Sequence, residues 1–217
     1  MKIVAAGDSF TYGEELSDRQ NAWPYIVGRR LNAEVVNLAQ PAGSNDKVVR
    51  KTIDYILSNP DPIDFVLIGW ASPGRMEFAD NAGIFDIWPG YSGNLFIKDG
   101  LHWRHEISKY ITVYHDDLYL YKKYLQQVIL LQSFLELQNI KYVMADVDPF
   151  IYHIESNATT PYFNKINKDK FIQFKKEGFV QWAFNKPKGP YGHFLDEGHK
   201  IVADKYYEHI RNLGWLS

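Results

Sequence analysis

Apolar residues in this chain alternate between short, dense runs and longer stretches in which they recur every three or four positions. Lys2 to Ala6 is the first dense run and reads as a strand. A helix follows from Asn21-Ala22-Trp23-Pro24 to about Leu31, with Pro24 tolerated in its first turn. Ala33 to Ala39 is β-branched and reads as the second strand, and residues 45–59 as the next helix, stopped at Asn59-Pro60. Asp64 to Trp70 is almost wholly apolar, the pattern of a central strand buried on both faces. Asp116 to about Gln138 carries Leu118, Leu120, Tyr121, Tyr124, Leu125, Val128 and Leu131 on one helical face. Ile140 to Ala145 reads as the fourth strand, Phe179 to Trp182 as a short edge strand, and Asp196 to Leu213 as a terminal helix. Strands alternating with helices predict an α/β fold, three layers α/β/α with a mainly parallel, flavodoxin-like sheet.

Two stretches break the rhythm, at about 72–115 and 150–175. Both are expected to be irregular insertions into a single domain spanning residues 1–217. The first is rich in Gly, Pro, Asn and aromatics and is expected to wall a pocket over the C-terminal edge of the sheet.

Composition narrows the chemistry. Apolar residues make up 46% and aromatics 16%, enough to fill a sizeable core. Basic and acidic side chains nearly balance, 24 against 26, so no electrostatic footprint for nucleic acid or an anionic membrane exists. There is no cysteine, which removes disulfides and thiol chemistry. No apolar run is long enough to span a bilayer and no secretory leader is evident, so a cytoplasmic location is expected.

The candidate chemistry sits at the two ends. Gly7-Asp8-Ser9-Phe10-Thr11-Tyr12-Gly13 follows the first strand directly, placing the Ser9 hydroxyl where open α/β sheets collect ligands. Gly7 supplies backbone freedom, and Asp8 can hold the turn through neighbouring N–H groups. Gly192-His193-Phe194-Leu195-Asp196-Glu197-Gly198-His199 precedes the terminal helix. A parallel sheet can bring Ser9 and His193 together as nucleophile and base. His199 competes with His193 by position, but inside the helix a capping or packing role is expected. His102-x-x-His105 could put two imidazoles on one helical face, yet no carboxylate pattern completes a metal site. Arg75, after the third strand, is read as a contact for an anionic substrate group or as a structural ion pair.

On these residues the chain resembles the GDSL/SGNH hydrolase superfamily, whose nucleophile lies in a Gly-Asp-Ser block after the first strand. The resemblance implies Ser9 as nucleophile, His193 as base, and the N–H groups of Ser9 and Gly43 as oxyanion donors; Gly43 closes the matching second block, Asn37 to Gly43. Two positions depart from it. Ala71, in Gly69-Trp70-Ala71-Ser72, stands where the family carries its oxyanion Asn, leaving Ser72 or Asn45 as substitute donors. Pro190 stands three residues before His193, where the family carries an Asp. A main-chain carbonyl between Lys188 and Tyr191, Pro190 included, is therefore expected to accept from His193 Nδ1–H, with Asp146 or Asp148 as alternatives.

The reading implied is a cofactor-free serine esterase acting on an acyl ester of a small molecule or carbohydrate. The rival is the same fold kept as a binding or assembly module with its chemistry weakened or lost. Neither reading fixes the oligomeric state.

Overall fold

The computed structural model describes residues 1–81, 83–87, 102–114, 116–149 and 156–216. Four parallel strands form the central sheet: β1 (Lys2–Ala6), β2 (Glu34–Asn37), β3 (Phe65–Trp70) and β6 (Lys141–Asp146), in the order β2-β1-β3-β6. The register pairs Ile3 with Val35 on one side and with Phe65 on the other, and Phe65 with Lys141.

Strand alternation divides the core into two layers. Ile3, Ala5, Phe65, Leu67, Val143 and Ala145 face α2 (Trp23–Leu31) and α8 (Asp196–Asn212). Val4, Ala6, Val66, Ile68, Tyr142 and Met144 face the other way, toward α3 (Asn45–Ser58) and α5 (Asp117–Leu137). β1, β3 and β6 are apolar on both faces because helices cover both, whereas the edge strand β2 is only partly buried. The result is the three-layer α/β arrangement read from the sequence. On the first face Trp23 stacks on Tyr206 with ring centroids 4.2 Å apart, and Tyr206 Oη donates to the Ile68 carbonyl at 2.6 Å.

Three local expectations are corrected. Residues 179–182 form a short helix, α7 (Phe179–Trp182), not an edge strand. The Gln181 side chain accepts from Gly178 N–H at its start, which closes a helical turn rather than extending a strand. The stretch 72–115 is not wholly irregular either. It contains an antiparallel hairpin, β4 (Met76–Asp80) and β5 (Gly83–Ile87), and a helix, α4 (His102–Tyr114). Its sequence hid them because the hairpin strands are short and partly exposed. Within 150–175 the described part holds α6 (Thr160–Phe163) and a 3₁₀ turn at Lys168–Lys170. His115 and His153 lie outside the described residues, as do the side chains of His102 and His105.

The hairpin is pinned to the start of α3 by charge. Arg50 Nε and Nη2 each meet the Glu77 carboxylate at 2.8 Å, Lys47 pairs with Asp86, and Ser44 N–H donates to Asp86 at 3.0 Å. Asp46 gathers Lys123 and Gln127 from α5, both at 2.7 Å, and the Glu77 N–H at 3.2 Å.

Chain order around the sheet reverses between β1 and β3. The connection after β1 runs out to β2, and the next one returns past β1 to β3. Ligands of open α/β sheets collect at the carboxyl ends of the strands flanking such a switch. The α1 turn (Ser9–Tyr12) occupies that crevice. It can do so only because Gly7 has no side chain: a Cβ there would stand 2.2 Å from Thr11 Oγ1 and 2.8 Å from the Gly69 carbonyl. Gly7→Ala is therefore expected to cost about 1–3 kcal/mol, the usual range for overpacking. Urea unfolding measures it, and adding Thr11→Ala should restore only part, since the Gly69 carbonyl remains.

Candidate active site

Asp8 starts α1 by capping it. Its Oδ1 accepts from Phe10 N–H at 3.0 Å, and its carbonyl accepts from the N–H groups of Thr11 and Tyr12. Ser9 is thereby the first helical residue, where a backbone N–H has no acceptor inside the helix. Its side chain sits in a nearly buried position at the sheet edge.

The partner arrives from the other end of the chain. A tight turn before α8, with Gly192 in the left-handed region and Gly189 N–H donating to the His193 carbonyl at 2.8 Å, presents the imidazole. His193 Nε2 lies 2.9 Å from Ser9 Oγ. The Phe10 ring packs against the imidazole, centroids 4.8 Å apart.

Nδ1 of His193 lies 2.8 Å from Glu15 Oε2. The same carboxylate accepts from the main chain of this turn, at 2.8 Å from Tyr191 N–H and 3.0 Å from His193 N–H. Approach this close requires glycine at 189, where a Cβ would stand 2.4 Å from Glu15 Oε1. On its own side, Glu15 reaches the site because Gly13 and Glu15 both adopt left-handed backbone, φ +85° and +66°. For a glutamate that conformation is uncommon, and it is held here by the hydrogen bonds its carboxylate makes.

Burial pushes the Glu15 carboxyl upward. The N–H groups of Tyr191 and His193 and the His193 ring outweigh that push and hold it below its ordinary value of 4.5. The ionised carboxylate fixes the tautomer: Nδ1 carries the hydrogen, and Nε2 presents its lone pair to Ser9.

The acceptor expected from the Pro190 carbonyl is thus a side chain instead. A carboxylate with three donors competes better for Nδ1–H than a neutral carbonyl does. Asp146 and Asp148 are not used at His193. Asp146 is buried against Tyr124 Oη, and its carboxyl is pushed up to about 7 by burial, against the lowering effect of that hydrogen bond. Asp148 accepts from Gln181 Nε2 at 2.9 Å. His199 is fully buried in α8, where its Nδ1 accepts from Trp23 N–H at 3.2 Å. Burial lowers its pKa to about 4, so it packs as a neutral ring.

The other residues expected to serve as donors carry bonds of their own. Gly43 N–H donates to the Gln40 carbonyl at 3.1 Å, so that donor is committed within its own turn. Both ends of the Asn45 amide are bonded to Ala71, Oδ1 to its N–H at 2.8 Å and Nδ2 to its carbonyl at 3.0 Å. Asn45 is therefore a strut between α3 and the loop after β3. The Ser72 carbonyl accepts from Arg75 N–H at 3.2 Å, closing that loop. Arg75 Nη1 donates to Asp8 Oδ2 at 2.8 Å and to the Gly43 carbonyl at 3.2 Å.

Glu15 is the site residue that sequence reasoning missed. A signal existed: with no acid three residues before His193, the first carboxylates after the Ser9 turn are Glu14 and Glu15, just past a glycine able to reverse the chain. A carboxyl whose native pKa is lowered stabilises the fold fully above its unfolded value, and loses that contribution as pH falls through the native one. The stability difference between wild type and Glu15→Gln should therefore be largest above about pH 5 and shrink below it. Urea titrations at a series of pH values measure this; a difference independent of pH would contradict it.

Several solved structures are similar to this chain over nearly its whole length. The psychrotrophic esterase EstA of Pseudoalteromonas sp. superposes with a TM-score of 0.58 at 14% identity, covering 99% of both chains. A member of the lipolytic G-D-S-L family from Veillonella parvula DSM 2008 gives 0.50 at 16% identity, over 96% of this chain and 97% of that one. A carbohydrate esterase family 2 enzyme of Corynascus thermopiles (Myceliophthora fergusii), with its carbohydrate-binding domain, gives 0.60 at 12% identity, over 99% of this chain and 67% of that one. The fold is that of the GDSL/SGNH hydrolases. No curated protein matches the sequence. A family description does match, over residues 11–217, and by it the chain belongs to the "Family of unknown function (DUF6071)".

Proposed function

We propose that this chain is a serine esterase that cleaves an acyl ester of a small molecule or carbohydrate. The observation that carries the reading is the continuous line of contacts Ser9 Oγ, His193 Nε2, His193 Nδ1, Glu15 Oε2, at 2.9 and 2.8 Å. Such a line has one well-known chemical use, activation of a hydroxyl as nucleophile. Structures of the same fold are named as esterases, one as active on acetylated mannans and one as an acetyl xylan esterase, which supports an O-acyl sugar as the substrate class.

In the proposed cycle Ser9 Oγ attacks the ester carbonyl as its proton passes to His193 Nε2. The Glu15 carboxylate holds Nδ1–H and stabilises the imidazolium by charge. The Ser9 N–H, free of the helix ladder, points its dipole at the developing oxyanion. Collapse expels the alcohol, which takes the proton back from Nε2, and leaves an acyl-serine. Water then repeats the sequence with His193 as base, releasing the carboxylic acid and restoring Ser9.

A second reading, a binding module of the same fold, is favoured by one set of observations. Ala71 lacks a donor side chain and the Gly43 N–H is already bonded. An assay with p-nitrophenyl acetate separates the two. The esterase reading expects turnover that disappears in Ser9→Ala and falls about 10⁴-fold in Glu15→Gln, the loss that follows when an orienting carboxylate becomes an amide. Circular dichroism verifies that the variants fold. Equal rates for folded wild type and Ser9→Ala would assign the chain to binding.

A further inference from the structure

Cleavage of an ester passes through a tetrahedral carbon bearing a negative oxygen, and one backbone N–H rarely suffices to hold it. Here the side chain at 71 is a methyl, the Asn45 amide is spent on Ala71, and the Gly43 N–H is spent on Gln40. A strong donor nevertheless stands at the same edge. Arg75 reaches across from the loop after β3 to the seam between the Gly7-Asp8-Ser9 turn and the Gly43 turn. That seam is tight: a Cβ at Gly43 would stand 3.2 Å from the Gly7 carbonyl and 3.7 Å from Asp8 Cα.

The guanidinium is oriented, not loose. Its Nη1 is held by Asp8 Oδ2 at 2.8 Å and by the Gly43 carbonyl at 3.2 Å. Asp8 itself is only 1% exposed, so its charge is poorly solvated and grips Arg75 firmly. A guanidinium carries five N–H donors in a rigid fork, and Nη1 accounts for two of them. Among the described residues nothing claims the donors of Nε and Nη2, and the side chain is 22% exposed, within reach of a bound solute. The backbone that carries it is fixed as well. Met76 begins the hairpin that Arg50, Lys47 and Asp46 tie to α3.

We propose that Arg75 is the second oxyanion contact of this site, a cationic donor standing in for the amide absent at position 71. The inference rests on the esterase reading. It assigns to Arg75 a role in the reaction itself, beyond its grip on Asp8. A cation that meets only the charged intermediate lowers the barrier without tightening ground-state binding, so its loss should appear in kcat and not in KM.

The test compares wild type, Arg75→Lys and Arg75→Met with phenyl acetate, and measures inhibition by 1,1,1-trifluoroacetone, which adds to a reactive serine as an oxyanionic hemiketal. The expected outcome for Arg75→Met is a fall in kcat of about 10²–10³, the usual cost of one oxyanion donor, with KM changed less than about threefold. The inhibition constant should rise in proportion to the loss of kcat/KM across the three proteins, as for any group that recognises the tetrahedral state. Arg75→Lys keeps a charge for Asp8 and should fold even if Arg75→Met does not; its position between the other two carries the same comparison.

Active wild type with kcat and inhibition unchanged in the variants would overturn the role of Arg75 alone. So would a loss confined to KM for an aryl hemisuccinate, which would make Arg75 a receptor for a substrate carboxylate. So would a fall in kcat without a matching change in inhibition, the mark of a merely structural grip on Asp8. Folded wild type without turnover would remove the esterase reading and this inference with it.

Discussion

The candidate site depends on one carboxylate that draws together two ends of the chain. Glu15 lies six residues past Ser9, yet it accepts three hydrogen bonds from the segment Tyr191 to His193. Two of those are main-chain bonds that fix the loop, and the third fixes the imbalance between the two ring nitrogens of His193. Placement and tautomer are thus set by the same group. The loop's other backbone bonds, Gly189 N–H to the His193 carbonyl, Gly192 N–H to the Gly189 carbonyl and Leu195 N–H to the Pro187 carbonyl, are all internal to the segment 187–195.

The sheet was legible because strand burial on both faces leaves a strong mark. Val66 to Ile68 and Val143 to Ala145 are apolar without interruption, and a run of that kind fits only a covered parallel strand. The Ser9 turn was legible for a similar reason, since its glycine and capping aspartate are local requirements. The short helix at Phe179–Trp182 was not. Three of its four residues, Phe179, Val180 and Trp182, are aromatic or β-branched and favour a strand locally, whereas the Gln181 side chain and the Trp182 N–H both close on Gly178 and make a helical turn.

Glu15 was the harder case, and its difficulty is physical. Nothing local distinguishes it from Glu14 beside it. Its role exists only after a 178-residue loop has closed, and its left-handed φ is unfavourable until then. The engagement of Gly43 by Gln40 and of Asn45 by Ala71 was hidden in the same way, because each is a choice between partners made in three dimensions. Sequence pattern names the donors well and says little about what they are bonded to.

Ser9 and Glu15 share one short segment while His193 lies on another, and this has a kinetic consequence. The Ser9 turn is complete as soon as β1 and α1 fold, whereas His193 reaches Ser9 and Glu15 by contacts of very long range, 184 and 178 residues apart. Contacts of such separation form late, after the sheet has shortened the loop between them. The hydroxyl therefore stays an ordinary alcohol through most of folding. Its contact with the His193 imidazole forms in a late docking step, when the protein is already compact.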